Sequence, residues 1–340
     1  MSVTISLSDL EAQTKLALQR HGADEWIAVE VAKAVRKAEA TGNVICGLYY
    51  LESYCQQLTT GRVKGNVDPE VSRPKPACVK VDAKFGFAQA AFAKGLPDAI
   101  ETARALGTCS LAICHAHTCT SLGYFTEQIA EAGFIGIGFT NASAAVSPPN
   151  GKSAVLGTNP IAMAVPARGG GVAFQFDQST SAVALGKITM AAAANEKIPL
   201  GWAVDSDGNP TNDPKKALSG SLVSSGGHKG YGFGLMAEIL AAGLTGSVNS
   251  LDVKGLKVPA GEPHNLGQFY FLIDPTAISG EAFWERLKRL TDAVEEQENA
   301  RLPGANRVLP DSVTLDEELW NAVQALANPT AQEAPASSQA

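Results

Sequence analysis

The sequence predicts an α/β layer inserted between two groups of helices, and three observations carry that prediction. Helical periodicity fills the first 65 residues. From Ala77 onward, short apolar runs alternate with helical segments, the pattern of an α/β region. Helical patterning then returns at Glu281. In the resulting layout, residues 1–75 and 279–327 pack together as one helical domain around an inserted domain, residues 76–278. The stretch 328–340 is rich in Ala, Pro, Ser and Gln and reads as a disordered tail.

The elements follow in order. Ser8 with Glu11 forms a capping-box pattern for a first helix, which Gly22 can stop. A second helix runs from about Asp24 to Ala40 and ends at Gly42, and a third from about Leu48 to Thr60 ends at Gly61. Arg62 to Pro76 is rich in Pro, Gly and charge and reads as a connection. Strands are expected at Cys78–Val81, Ser110–Cys114, Phe134–Phe139, Ile161–Val165, Val172–Phe176 and Phe269–Ile273. Helices are expected at Asp98–Leu106, Thr120–Ala132, Ser181–Ala194 and Tyr231–Leu244. A long amphipathic helix covers Glu281–Ala300, and Thr314 with Glu317 starts a last one.

Charge and composition narrow the function classes. With 27 basic and 34 acidic residues the net charge is −7, and no basic stripe of a nucleic-acid binder is present. No apolar run approaches the roughly 20 residues of a membrane span. Met1 to Leu10 has neither a basic nor an apolar signal region, so a cytoplasmic protein with its six cysteines reduced is expected.

Several segments have chemical content. The glycines do not form a Rossmann fingerprint, because none opens a helix after a strand at the required spacing. Gly151-Lys152-Ser153 lacks the upstream glycine of a P-loop. Gly226 to Gly234 does open a helix. With His228 and Lys229 it reads either as an anion cradle or as a glycine turn before a closely packed helix. Cys109, Cys114, His115, His117 and Cys119 cluster in sequence, and on a strand His115, His117 and Cys119 would share a face. Zinc spacing is missing, so no metal is expected and the thiols read as buried. Gly157-Thr158-Asn159-Pro160 is a turn that offers a hydroxyl and an amide to a polar ligand. Asp177 to Ser181 offers a carboxylate and hydroxyls, or a helix N-cap.

Together these segments resemble the type-2 malate/L-lactate dehydrogenase family, which is unrelated to the Rossmann lactate dehydrogenases. The resemblance covers about residues 8–310. Its most specific parts are Gly157–Pro160, Gly227-His228-Lys229-Gly230, Gly243-Leu244-Thr245-Gly246, and Arg301-Leu302-Pro303-Gly304 with Arg307. Those arginine-bearing residues and Ile198–Trp202 resemble most the sulfolactate dehydrogenase and the Δ1-pyrroline/Δ1-piperideine-2-carboxylate reductase branches. The resemblance implies a non-Rossmann, mixed-sheet cofactor domain, a homodimer, a small carboxylate substrate, and NADH or NADPH. It implies cofactor contacts from Thr118, Cys119, Thr120, Ser121, Leu122, Asp177, Gln178, Ser179, Leu185, Gly186, His228, Lys229, Arg301, Gly304 and Arg307, and a substrate contact from Thr158.

One departure from the family matters for mechanism. Relatives carry Ser-His-Gly and, three residues later, an Arg that clamps the substrate carboxylate; the His is the proton donor. Here Ile45, Cys46 and Tyr50 stand at the Ser, His and Arg positions, and Lys187 stands where the ketimine branch can place a relay Asp. Cys46, Tyr49, Tyr50 and His117 are the candidates for the missing acid, while Cys46 can equally be a buried small residue. A ketimine can arrive already protonated, whereas a ketone needs a donor. The sequence therefore points first to a ketimine reductase. A 2-hydroxy-acid dehydrogenase comes second, and a catalytically silent nucleotide-binding homologue third.

Overall fold

The computed structural model describes residues 1–305 and 307–328. The expected tail lies, beyond Asn328, outside the described residues. The chain opens with β1 (Ser2–Ser6), α1 (Leu7–Arg20), α2 (Glu25–Ala40) and α3 (Leu51–Thr59). It continues through β2 (Glu70–Lys75), β3 (Cys78–Asp82), α4 (Ala88–Leu106), β4 (Thr108–Ala116), α5 (Gly123–Glu131) and β5 (Ile135–Thr140). Then come β6 (Ile161–Pro166), β7 (Val172–Gln178), α6 (Leu185–Ala194), β8 (Ala203–Val204), α7 (Pro214–Ser219) and β9 (Ser221–Leu222). The chain closes with α8 (His228–Glu238), β10 (Leu266–Ile273), α9 (Ala282–Glu295), β11 (Ser312–Asp316) and α10 (Glu317–Ala327).

Seven strands form one mixed sheet in the order β2-β3-β4-β10-β5-β6-β7. Only β3 and β4 pair in parallel, joined by α4 as a βαβ crossover. The late strand β10 inserts between β4 and β5 and pairs antiparallel with both. Its side chains alternate as a doubly covered strand requires. Tyr270 and Leu272 enter the cluster shared with α4 and α5, while Phe269 packs on the opposite face with Ala237 of α8. The sheet is thus mixed, as expected, and covered on both faces.

A second cluster unites the two ends of the chain. Leu10 and Leu18 of α1, Ile27 of α2, Leu51 of α3 and Trp320 and Val323 of α10 share one buried core. β1 and β11 pair antiparallel along its edge, Ser2 opposite Asp316. Helix α9 contributes no buried residue.

Local signals placed several boundaries differently from the sequence reading. The first helix is capped by Ser6, not Ser8, because Ser8 is already helical; Ser6 Oγ accepts from Asp9 N at 3.0 Å. Likewise Asp316, not Thr314, caps the last helix, and Thr314 lies in β11. The expected connection Arg62–Pro76 contains β2, whose Pro74 is tolerated on an edge strand. Helix α4 begins ten residues earlier than Asp98 and runs through Pro97, because its flanks bury Phe92, Ala99 and Ala103. Helix α5 starts only at Gly123, since Thr120 takes a φ of 61°. Helix α6 starts at Leu185, since Ser181 instead bridges Ser224. Trp320 joins the last helix to the first three, so Trp320→Ala is expected to cost about 3–5 kcal/mol. Urea unfolding measures it, and a cost below about 1 kcal/mol would mean that α10 is not part of this core.

Candidate active site

Two neighbouring cavities lie where the turns after α2 approach the end of β7. The first, of about 550 Å³, is lined by Lys37, Ser121, Asp177, Arg301, Gly304 and Arg307, among others. The second, of about 790 Å³, is lined by Ile45, Tyr50, Thr158, Ser179, Leu185, Gly186 and the loop Gly255–Pro259, among others. Asn43 lines the first cavity and Ile45 the second; Asp177 and Ser179 divide in the same way. The two chambers therefore share a wall formed by one tight turn and one strand end.

The first chamber is lined by three basic side chains, Lys37, Arg301 and Arg307, and two acidic ones, Glu127 and Asp177. Lys37 is paired with Glu127 at 2.7 Å, but Arg301 and Arg307 form no ion pair among the described residues. The loop that carries them lies beside edge strand β7, where Gln175 N donates to Pro303 O at 2.9 Å. Gly304 has a φ of 63°, and a Cβ there would come within 2.8 Å of the Gln175 backbone oxygen, so only glycine fits. Asp177 accepts from Gly123 N at 2.7 Å and from Ser121 Oγ at 3.4 Å, which orders the start of α5 against β7. Guanidinium groups without a carboxylate partner are the chemistry that holds phosphate. The residues present thus fit the phosphates of a nicotinamide dinucleotide.

The second chamber is built on three supports. Beneath its entry turn, buried Glu39 accepts from Leu48 N at 2.7 Å. Gly47 passes so close that a Cβ would strike the Glu39 carboxylate. Burial holds the Glu39 pKa above the ordinary range. On the far side, Asn159 is wholly buried rather than facing a ligand; its amide donates to Glu238 Oε2 at 2.8 Å and to Gly234 O at 3.2 Å. Glu238 also accepts from Ser250 N and Asn249 Nδ2, which ties the Thr158 turn to α8. Third, Gln57 Nε2 donates to Leu256 O and Val258 O, and Arg62 donates to Gly255 O, Val258 O and Glu262 O.

That third support settles the state of His117. With its nitrogen committed to two carbonyls, Gln57 presents Oε1 to His117 Nε2 at 2.6 Å, so the Nε2 carries the proton. His117 stacks on His264 with ring centroids 4.0 Å apart and is pushed well below the usual histidine range by burial, by His264 and by Arg62. It is a neutral, buried imidazole that lines neither cavity. Burial pushes the Cys46 thiol up to about 12, with the Asp177 carboxylate acting in the same direction. Burial likewise lifts Tyr50 to about 12, helped by Cys46 and Tyr49. At neutral pH these groups hold their protons.

The sequence-derived residues separate into groups. Ser121, Asp177, Arg301, Gly304 and Arg307 meet in the first chamber, and Tyr50, Thr158, Ser179, Leu185 and Gly186 meet in the second. Cys46 closes the turn Val44–Cys46, directly after Ile45, and lines neither chamber. Thr118, Cys119 and Leu122 are buried behind the chambers. Thr120 and Gln178 line neither, and Lys187, His228 and Lys229 are exposed outside both. Gly230 packs so tightly that a Cβ would meet Ser225 O at 1.8 Å. His115, His117 and Cys119 do not share a strand face, because β4 ends at Ala116 and His115 takes a φ of 51°. His115 instead pairs with Asp82 at 3.0 Å. Among the described residues, Asp82, Cys114 and His115 bring three possible ligand atoms within 4.8 Å of one another, but Cys114 Sγ donates to Val81 O and Asp82 accepts from Lys84 N. Sequence reading missed Lys37 and the loop Gly255–Pro259, which line the chambers only through tertiary packing.

Comparison with known proteins shows the family and the fold. The family model described as malate/L-lactate dehydrogenase matches residues 5–323. A (2R)-3-sulfolactate dehydrogenase (NADP(+)) of Chromohalobacter salexigens is 38% identical over 90% of this chain and 91% of its own length. A Δ1-pyrroline-2-carboxylate/Δ1-piperideine-2-carboxylate reductase of Pseudomonas putida is 34% identical over 93% and 92%. The crystal structure of the Δ1-piperideine-2-carboxylate reductase from Pseudomonas syringae superposes with a TM-score of 0.87 at 33% identity, covering 95% of this chain and 99% of that one. A thiol held near 12 reacts slowly. Iodoacetamide should therefore label Cys46 at pH 8 at least about tenfold more slowly than free cysteine, by peptide mass spectrometry. Labelling at the free-thiol rate would show an activated Cys46.

Proposed function

Because the chain belongs to the malate/L-lactate dehydrogenase family, we propose that it reduces a C=N bond beside a carboxylate, with NADH or NADPH as the hydride source. It is an oxidoreductase of that family; the ketimine substrate is our reading. One observation carries it. Among the described residues, none of the candidate donors Cys46, Tyr50 and His117 is an acid poised near neutrality. Cys46 and Tyr50 stand near 12, and His117 is neutral, buried and committed to Gln57. General acid catalysis works best with a pKa close to the operating pH. A protonated cyclic imine brings its own proton: hydride adds to carbon, the C=N π pair passes to nitrogen, and a neutral amine results.

The first chamber supports the cofactor assignment. Arg301 and Arg307 would hold phosphates, Ser121 and Gly304 would let them approach, and Ser179 and Gly186 would border the reactive ring. A bound dihydronicotinamide supplies the hydride. Ile45, Leu185 and Leu256 give the second chamber an apolar wall, and Tyr50 and Thr158 would offer hydroxyls to the substrate.

A second reading, a 2-hydroxy-acid dehydrogenase, is favoured by the 38% identity to the sulfolactate enzyme and by the Tyr50 hydroxyl at the cavity wall. Catalytic efficiencies for a cyclic imine acid and its 2-oxo analogue separate the two. The imine acid should win, and Cys46→Ser should keep most of that activity, since loss of a true general acid costs about 10²–10⁴-fold. Preference for the 2-oxo acid together with collapse of Cys46→Ser would establish the second reading.

We also infer a homodimer. Phe233, Met236 and Ile239 recur every third residue along α8 and into the following turn, and all three are exposed. An apolar stripe of this kind marks a protein contact. Light scattering should give twice the chain mass, and a monomer at micromolar concentration would remove the inference.

A further inference from the structure

We propose that Lys257 anchors the substrate carboxylate and sets the preference of the second chamber for anionic substrates. The proposal rests on reading that chamber as the substrate site. Its walls are otherwise apolar side chains, backbone and hydroxyls; among the described residues that line it, only Lys257 is charged.

The position of the ammonium is specific. Lys257 Nζ lies 3.3 Å from the centroid of the Tyr49 ring and 5.5 Å from that of Tyr50, whose side chain borders the chamber. A cation over an aromatic face is held there without losing its charge. Among the described residues no carboxylate lies within ion-pair distance of it. The cation is thus fixed in direction yet free to take an anion.

The backbone around Lys257 is fixed as well. The carbonyls on either side of it, Leu256 O and Val258 O, both accept from Gln57 Nε2 at 2.7 and 2.9 Å. Gly255 O accepts from Arg62 at 3.1 Å, and Pro259 O accepts from Thr60 Oγ1 at 2.6 Å. Arg62 is itself 1% exposed, so a buried guanidinium is committed to holding a surface loop. A loop that only closed the surface could leave those carbonyls to water. Pinning them gives Lys257 a defined origin, and preorganisation is what a charged anchor needs to discriminate between ligands.

Calorimetry on the full chain saturated with NADP+ tests this. The probes are pyrrole-2-carboxylate, a planar ring acid, and its uncharged carboxamide. Lys257→Gln should weaken the acid by about 5- to 20-fold, between an exposed ion pair and a shielded charge-assisted bond. The amide should bind unchanged, and Lys257→Arg should stay near the wild-type affinity for the acid. In turnover, Lys257→Gln should raise KM with little change in kcat. Equal affinity for the acid in wild type and Lys257→Gln, equal losses for acid and amide, or no binding of the acid to wild type would each overturn the proposal. Absence of cofactor oxidation with both imine and oxo acids would instead sink the reductase reading, and the calorimetric comparison would still decide on Lys257.

Discussion

The site depends on a short set of hydrogen bonds between α3 with its following turn and a loop about 200 residues away in sequence. Gln57, Thr60 and Arg62 donate to carbonyl oxygens of residues 255, 256, 258, 259 and 262. These contacts join the helical layer to the segment that leads into β10. They also fix the Gln57 amide and hence the tautomer of His117, while burial, His264 and Arg62 keep that imidazole neutral. Burial of His264, pushed down to about 3, belongs to the same arrangement, with Arg62 supplying the one positive charge there. A charged imidazole beside that guanidinium would be strongly disfavoured.

Much of the fold was legible because periodicity reports burial directly. Six strands of the central sheet were visible as apolar runs, since a strand covered on both faces reads as near-continuous hydrophobics. β2 was not, because an edge strand with Arg73, Pro74 and Lys75 looks like a loop. β1 and β11 were missed for a related reason: each exposes about half its residues, and each is a strand only because the other is beside it.

The site was legible in halves. Arg301 and Arg307 were legible only through the family resemblance, whereas Asp177 and Thr158 stood out as polar residues in turns. Asn159 stood out for the same reason and is inward-facing, because a buried carboxylate at Glu238 needed its amide. Lys257 gave no signal. A lysine in a Gly- and Pro-containing stretch is ordinary surface until tertiary contacts place it over two tyrosine rings. The chemistry of Cys46 was equally hidden, since an ordinary thiol and one pushed to about 12 have the same letter in the sequence.

The pairing of β1 with β11 has a consequence for how the chain reaches this structure. Ser2 meets Asp316, and Trp320 enters the same core as Leu10. The first helices emerge from the ribosome long before their partners exist. Their apolar faces stay open while some three hundred further residues are made. Contacts this distant in sequence carry a high loop-closure cost and form late. The α/β layer between them brings the two ends within reach, and the helical core closes only once α10 is present. Loss of the last twenty described residues would leave the N-terminal helices with an unfilled core, even though every residue of the sheet would be present.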